Sequence, residues 1–252
     1  MTVIGILECG RNKPDWVKDH GDFADWFPPL LHGTDPSIDF KVWRAIDEDL
    51  PSAPDLCDAW LLTGSPASTY QNLPWQHGLT RFVTEARRHR PIVGICYGHQ
   101  HLHAALGGTV EKAPSWGVGI TTYDIATKPA WLADDAEAFG ADRFHLIALH
   151  QDQVTAPAPG TQILASSPEC LFAVTTIGTN ILTFQPHPEM TPEQVTKIYD
   201  LHRPDMGEAR WVSAQASLTA PRNEHLAARW IVDFIRSKPA PFREGLTKGE
   251  QP

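Results

Sequence analysis

Two short segments carry residue types that can do chemistry together. In Pro91-Ile92-Val93-Gly94-Ile95-Cys96-Tyr97-Gly98-His99-Gln100, an apolar run of strand character enters a Gly-x-Cys-x-Gly turn and leaves it as a helix. A nucleophile on such a sharp strand-to-helix turn projects its side chain clear of the backbone. Gly94 and Gly98 flank the turn where side chains would collide with neighbouring backbone. Cys96 then lies at a helix N-terminus, whose dipole and free N–H groups favour a thiolate. The N–H of Tyr97 points at the oxyanion formed when the sulfur attacks a carbonyl. A cysteine in a glycine-rich turn is equally compatible with simple packing, so the elbow needs a base.

Gln185-Pro186-His187-Pro188-Glu189 supplies one, directly after an apolar run at 180–184. The two prolines keep this stretch extended and out of a helix. In extended chain, residues two apart project to the same side, so His187 and Glu189 share a face. His187 can take the thiol proton and return it to a leaving amine. Glu189 can fix the imidazole tautomer and stabilise the imidazolium. Alone, this would read as a solvent-facing proline-rich loop; beside a cysteine elbow it reads as a base with its orienting acid.

These residues need a frame. Short apolar runs at Val3–Leu7, Phe40–Ala45, Ala59–Thr63 and Ile92–Ile95 have the character of strands covered on both faces. They alternate with helical patterns, which predicts βα units and a parallel central sheet. Leu79–Arg88 is a predicted helix, and a second starts at His99 and ends at Gly107-Gly108. Closely spaced runs at Gly119–Ile125, Leu146–Leu149, Gln162–Ser166, Phe172–Thr176 and Ile181–Phe184 predict antiparallel strands added to that sheet. Two C-terminal helices follow. Thr191-Pro192-Glu193-Gln194 is a capping box with proline at the first helical position, and Arg222–Ser237 carries an apolar stripe of core character. Residues 1–237 are expected to form one domain, and the Pro- and charge-rich 238–252 a loose tail.

Composition removes other function classes. Twenty-one Lys and Arg against 30 Asp and Glu, a formal net charge of -9, disfavour a nucleic-acid surface. The N-terminal apolar run is too short to span a bilayer and lacks a basic flank. Four scattered cysteines, Cys9, Cys57, Cys96 and Cys170, do not make a disulfide framework in a chain of 252 residues. A cytoplasmic protein with free thiols is expected. His99, His101 and His103 recur at every second position, whereas helical metal sites use spacings of three or four. Only His99 and His103 could share a face, and no metal or other cofactor is expected.

The two motifs together resemble the class I, or triad-type, glutamine amidotransferases. The nucleophile motif of that family is matched by Gly94 through Gln100, and its His-Pro-Glu motif by His187, Pro188 and Glu189. Leu62-Thr63-Gly64-Ser65-Pro66 resembles the loop supplying the second oxyanion donor, with Ser65 where the family usually has glycine. The resemblance covers roughly residues 1 to 200 and implies a flavodoxin-like, doubly wound α/β fold. It implies Cys96 as nucleophile, His187 as base and Glu189 as its partner, hydrolysing a γ-glutamyl amide through a thioester. It further implies the backbone N–H groups of Ser65 and Tyr97 as oxyanion donors. Gly64, Gln100, Trp116, Gly117, His150, Gln151 and Asp152 are implied to bind the small γ-glutamyl substrate.

No ATP-binding pyrophosphatase signature occurs in these residues. The chain looks closest to stand-alone members, namely those resembling the amidotransferase domain of guanosine-monophosphate synthase and the γ-glutamyl peptidases. The leaving group is expected to point out past Tyr97; Tyr70, Trp75 and Trp116 could tolerate bulk there, although core packing is the expected role for any one of them. A glutaminase subunit delivering ammonia to a separate synthetase subunit is the alternative. Two other classes share parts of the pattern. Thiol chaperones and proteases of the related cysteine-elbow group lack the late His-x-Glu pair, and a catalytically silent binding module would not need Cys96, His187 and Glu189 intact.

Overall fold

The computed structural model describes residues 2–132 and 140–237. The strands are β1 (Val3–Leu7), β2 (Asp39–Trp43), β3 (Ala59–Leu62), β4 (Ile92–Ile95), β5 (Thr109–Ile125), β6 (Arg143–Ala156), β7 (Thr161–Ser166), β8 (Val174–Ile177) and β9 (Ile181–Phe184). They form one nine-stranded sheet in the order β2-β1-β3-β4-β9-β8-β7-β5-β6. β2, β1, β3, β4 and β9 pair in parallel. β9, β8, β7, β5 and β6 continue the sheet with antiparallel pairs. The predicted parallel core with an antiparallel extension is the observed architecture.

Seven helices flank the sheet among the described residues: α1 (Pro14–His20), α2 (Phe27–His32), α3 (Pro74–Ala86), α4 (Tyr97–Ala105), α5 (Pro192–Met206), α6 (Glu208–Ser217) and α7 (Glu224–Arg236). The two-residue period of the strands assigns them to faces. Ala59 and Leu61 of β3 pack with Phe27 and Leu31 of α2 and Trp230, Ile231 and Phe234 of α7. Trp60 and Leu62 point the other way, onto Trp75, Leu79 and Val83 of α3 and Leu102 of α4. A β-carbon at Gly5 would lie 2.1 Å from the Trp60 ring, so the bulk at 60 is accommodated by its absence at 5.

A third apolar cluster lies over the antiparallel half, where Val195, Tyr199 and Met206 of α5 and Ala214 of α6 meet Phe23, Trp26, Ile147 and Met190. Tyr199 fastens this layer to both strands beneath it. Its hydroxyl accepts the Gly119 N–H at 2.6 Å and donates to Ala148 O at 2.5 Å.

Several boundaries differ from expectation. α3 begins a turn early, because Pro74 takes the first helical position and the Gln76 side chain accepts the Leu73 N–H at 2.7 Å. α4 begins at Tyr97 instead of His99, and β2 covers 39–43 instead of 40–45. β8 covers 174–177 instead of 172–176. β5 and β6 are much longer than predicted, since their outer halves pair with each other without an alternating apolar face. The C-terminal region holds a further helix, α6, between the two that were expected. The expected tail, 238–252, lies outside the described residues.

Candidate active site

Cys96 joins β4 to α4 with φ 52° and ψ -103°. A left-handed φ is costly for a non-glycine residue and persists only where the surroundings over-determine it. They do so here. The Cys96 N–H donates to Phe184 O at 2.7 Å, its carbonyl accepts the Gln100 N–H at 3.0 Å, and the Gly98 N–H donates to Thr63 O at 3.2 Å. The glycines permit the close approach: a β-carbon at Gly98 would meet Leu62 O at 2.5 Å, and one at Gly94 would meet Leu102 at 2.6 Å.

His187 follows β9 in the extended proline-flanked stretch. Its own N–H survives between the two prolines and donates to Ile147 O at 2.8 Å, pinning the segment to β6. Its Nδ1 lies 2.7 Å from Glu189 Oε1, with both side chains buried. Nδ1 is thereby occupied, and Nε2 is the ring nitrogen left without a hydrogen-bond partner. Cys96 and His150 also act on the ring electrostatically. Burial pushes His187 down, but Glu189 first and Cys96 next outweigh it and hold the imidazole well above its ordinary value. The sulfur also lies 3.8 Å from Leu149 O.

The Tyr97 and Ser65 N–H groups make no hydrogen bond among the described residues. Ser65 is not among the residues with left-handed φ, so serine meets no backbone penalty where the resemblance expected glycine. Gly64 lies beside it, and a β-carbon there would stand 3.2 Å from His187 Cε1 and 3.6 Å from Phe23.

These groups open onto a cavity of about 230 Å³, lined by Cys96, His187, Ser65, Gln100, Trp116, His150, Gln151 and Asp152 together with Tyr70. Gln100 Nε2 donates to Asp152 O at 2.8 Å and to Gln185 Oε1 at 3.1 Å. Burial lowers His150 to about 4, so it is neutral at pH 7. Trp116 enters because of a bulge: residues 113–116 of β5 oppose the single Gln151 of β6. Gly117 does not line the cavity; the His150 ring occupies its side-chain space, at 2.6 Å.

Trp75 takes the core role expected for any one of these aromatics, buried with its ring 5.4 Å from that of Tyr97. One expectation is corrected. The Tyr97 side chain also points inward, to Gln76 at 3.0 Å and His101 at 3.1 Å, so no group leaves past it. Both residues sit behind the elbow because α3 packs there. Sequence reasoning missed Phe23, Lys112, Met190, Ile198 and His202, which complete the wall. The spacing of Ile198 and His202, one helical turn apart, was the available signal for α5.

The α4 histidines are held in hydrogen bonds. His101 meets Tyr97 and Thr80, His103 meets Thr175 at 3.0 Å and the Ala158 N–H at 3.1 Å, and His99 meets Thr183 at 2.8 Å. Among the described residues no three His, Cys, Asp or Glu side chains are grouped as a metal site. No described helix is long and apolar enough to cross a membrane.

A doubly wound sheet carrying a strained cysteine elbow, a buried His-Glu pair after its last parallel strand and a cavity lined by Cys96 and His187 defines an α/β protein with a candidate active site. Comparison with known proteins narrows the class. The family described as glutamine amidotransferase class-I matches residues 37–200, and the chain belongs to that family. The glutamine amidotransferase-like protein chyE of Penicillium rubens is 32% identical over 196 residues, 77% of this chain and 74% of that protein. γ-Glutamyl peptidase 2 of Arabidopsis thaliana is 27% identical over 173 residues, 66% and 68% of the two chains. Among solved structures, a glutamine amidotransferase from Methylobacillus flagellatus superposes with a TM-score of 0.65 at 23% identity, covering 99% of this chain and 98% of the other.

Proposed function

We propose that the chain hydrolyses a γ-glutamyl amide through a γ-glutamyl thioester on Cys96, without a partner subunit. The observation that carries this reading is that Cys96 and His187 line one cavity while His187 Nδ1 lies 2.7 Å from Glu189 Oε1. His187 holds the proton given up by the Cys96 thiol, and the thiolate Sγ bonds to the γ-carbonyl carbon. The carbonyl oxygen gains the negative charge and receives the free N–H groups of Tyr97 and Ser65. Collapse breaks the C–N bond, and His187 returns its proton to the leaving nitrogen. Water, deprotonated by the same imidazole, then cleaves the thioester, releasing glutamate and the thiol. Glu189 stabilises the imidazolium in both halves.

The apolar part of the cavity wall favours an amide with a substantial leaving group over glutamine itself. Phe23, Met190, Trp116, Leu149 and Ile198 all line the cavity and belong to one apolar cluster, and ammonia would use none of it. The likeness to a γ-glutamyl peptidase supports the same substrate class. Steady-state rates on glutamine, glutathione and a γ-glutamyl anilide, with and without cell extract, test it. Turnover of the anilide by the chain alone is expected. Silence on every substrate until extract is added would favour a glutaminase subunit serving a separate synthetase.

A further inference from the structure

Thr63 follows β3 directly and is wholly buried, between the cysteine elbow and the loop that carries Ser65. Each of its polar atoms is used. Its N–H donates to Leu7 O at 3.2 Å, and its carbonyl accepts the Gly98 N–H at 3.2 Å. Its hydroxyl accepts the Cys9 N–H at 2.9 Å and donates to Gly64 O at 2.9 Å. The direction of these two bonds is fixed. A backbone N–H only donates and a carbonyl only accepts, so the hydroxyl receives from Cys9 and gives its single hydrogen to Gly64.

The Gly64 carbonyl belongs to the same peptide unit as the Ser65 N–H. No peptide among the described residues is cis, and in a planar trans unit the C=O and N–H point in opposite directions. The carbonyl is directed at the Thr63 hydroxyl and toward Gly10, where a β-carbon would lie 3.1 Å from it. Neither Thr63 nor Gly10 lines the cavity, whereas Ser65 does. Holding the carbonyl on the Thr63 side therefore turns the Ser65 N–H to the cavity side.

We propose that Thr63 is a positioning residue whose hydroxyl locks the Gly64–Ser65 peptide and so presets the second oxyanion donor. Its carbonyl also holds Gly98, the residue after Tyr97, so the elbow bearing the other donor is tied to the same anchor. The inference rests on the γ-glutamyl reading above and adds what aims the Ser65 N–H. A donor fixed in advance needs no reorganisation when charge develops on the carbonyl oxygen.

Thr63→Val keeps the shape and removes the hydroxyl, whereas Thr63→Ser keeps the hydroxyl. On γ-glutamyl anilide, Thr63→Val should lower kcat roughly tenfold to a hundredfold with KM within about twofold, because the oxyanion exists only beyond the ground state. Thr63→Ser should recover most of that loss. Iodoacetamide separates this effect from general damage to the site. The thiolate displaces iodide from its saturated carbon and no oxyanion forms, so Cys96 alkylation should keep its wild-type rate in Thr63→Val. An equal loss in Thr63→Ser, wild-type kcat in Thr63→Val, or alkylation slowed as much as turnover would overturn the proposal.

If the wild-type protein cleaves no γ-glutamyl substrate, the hydrolytic reading fails, and the peptide is then read by itself. Gly64-Ser65 is the one Gly-Ser step in the sequence. Carbonyl-labelled glycine and amide-labelled serine, introduced by cell-free synthesis, therefore give a single amide correlation in a nuclear magnetic resonance spectrum. Its carbonyl shift should match wild type in Thr63→Ser and move upfield in Thr63→Val, as the bond to Gly64 O is lost. An unchanged correlation in Thr63→Val overturns the proposal, and Thr63→Ala gives the same readouts should the valine variant not fold.

Discussion

Gly64 leaves little room for a side chain beside His187. A β-carbon at 64 would stand 3.2 Å from His187 Cε1, tighter than ordinary van der Waals contact. The ring is held at Nδ1 by Glu189 at 2.7 Å, and the residue through its backbone by Ile147. It can yield only by moving relative to Cys96. Gly64→Ala should therefore lower kcat about tenfold or more while shifting Tm little, since small misplacements of catalytic groups are costly. Wild-type kcat in a folded variant would show that the ring position is not critical.

His187→Ala should reduce kcat about as severely as loss of Cys96, because such residues act as a unit. Glu189→Gln should be milder, since the amide still orients the ring. It should also change the pH profile in a definite direction. Burial lowers His187, and Glu189 is the largest influence raising it. Without that carboxylate, burial wins, the imidazolium loses its proton at lower pH, and the alkaline limb of kcat/KM moves acidward. Because thiol and imidazole titrate together, the limb belongs to the pair. An unmoved or alkaline-shifted limb would contradict the role given to Glu189.

The fold should be acid-labile. Burial depresses His101, His103 and His150 to about 4, against about 6.5 in the unfolded chain. Between those values the unfolded chain binds protons that the folded chain does not, so stability falls as pH drops through the window. By pH 5 each histidine should cost on the order of 2 kcal/mol relative to pH 7. Denaturant midpoints at pH 7 and 5 measure the drop, and His103→Gln should shrink it. A midpoint independent of pH would refute the assignment of neutral buried imidazoles.

The elbow and the His-x-Glu pair are legible in sequence because each is a local arrangement. Gly94, Gly98 and two prolines dictate backbone geometry within a few residues of the side chain they aim. The parallel strands are equally plain, since β3 and β4 are buried on both faces and read as unbroken apolar runs. The outer cavity is not legible in the same way. Lys112 stands opposite Asp152, and Trp116 reaches the cavity, only through the register and bulge of β5 against β6, which no local pattern encodes. α6 buries only Ala214 fully, so it shows no apolar stripe to predict it. Trp75 illustrates the converse: an aromatic near the site in sequence belongs to the core because α3 turns it there.

The central claim is that Cys96 is the atom donor to a γ-glutamyl thioester, and one mass spectrum tests it most directly. The protein is incubated with a glutamine-mimicking diazoketone, whose diazo carbon, once protonated, is attacked by a thiolate with loss of N2 to leave a thioether, and its intact mass and labelled peptide are read. All four cysteines are free and buried, but only Cys96 lines the cavity. One adduct, on Cys96, is predicted, together with complete loss of turnover and no adduct in Cys96→Ser. Labelling of Cys9, Cys57 or Cys170 at equal rate, or an adduct that persists in Cys96→Ser, would contradict it.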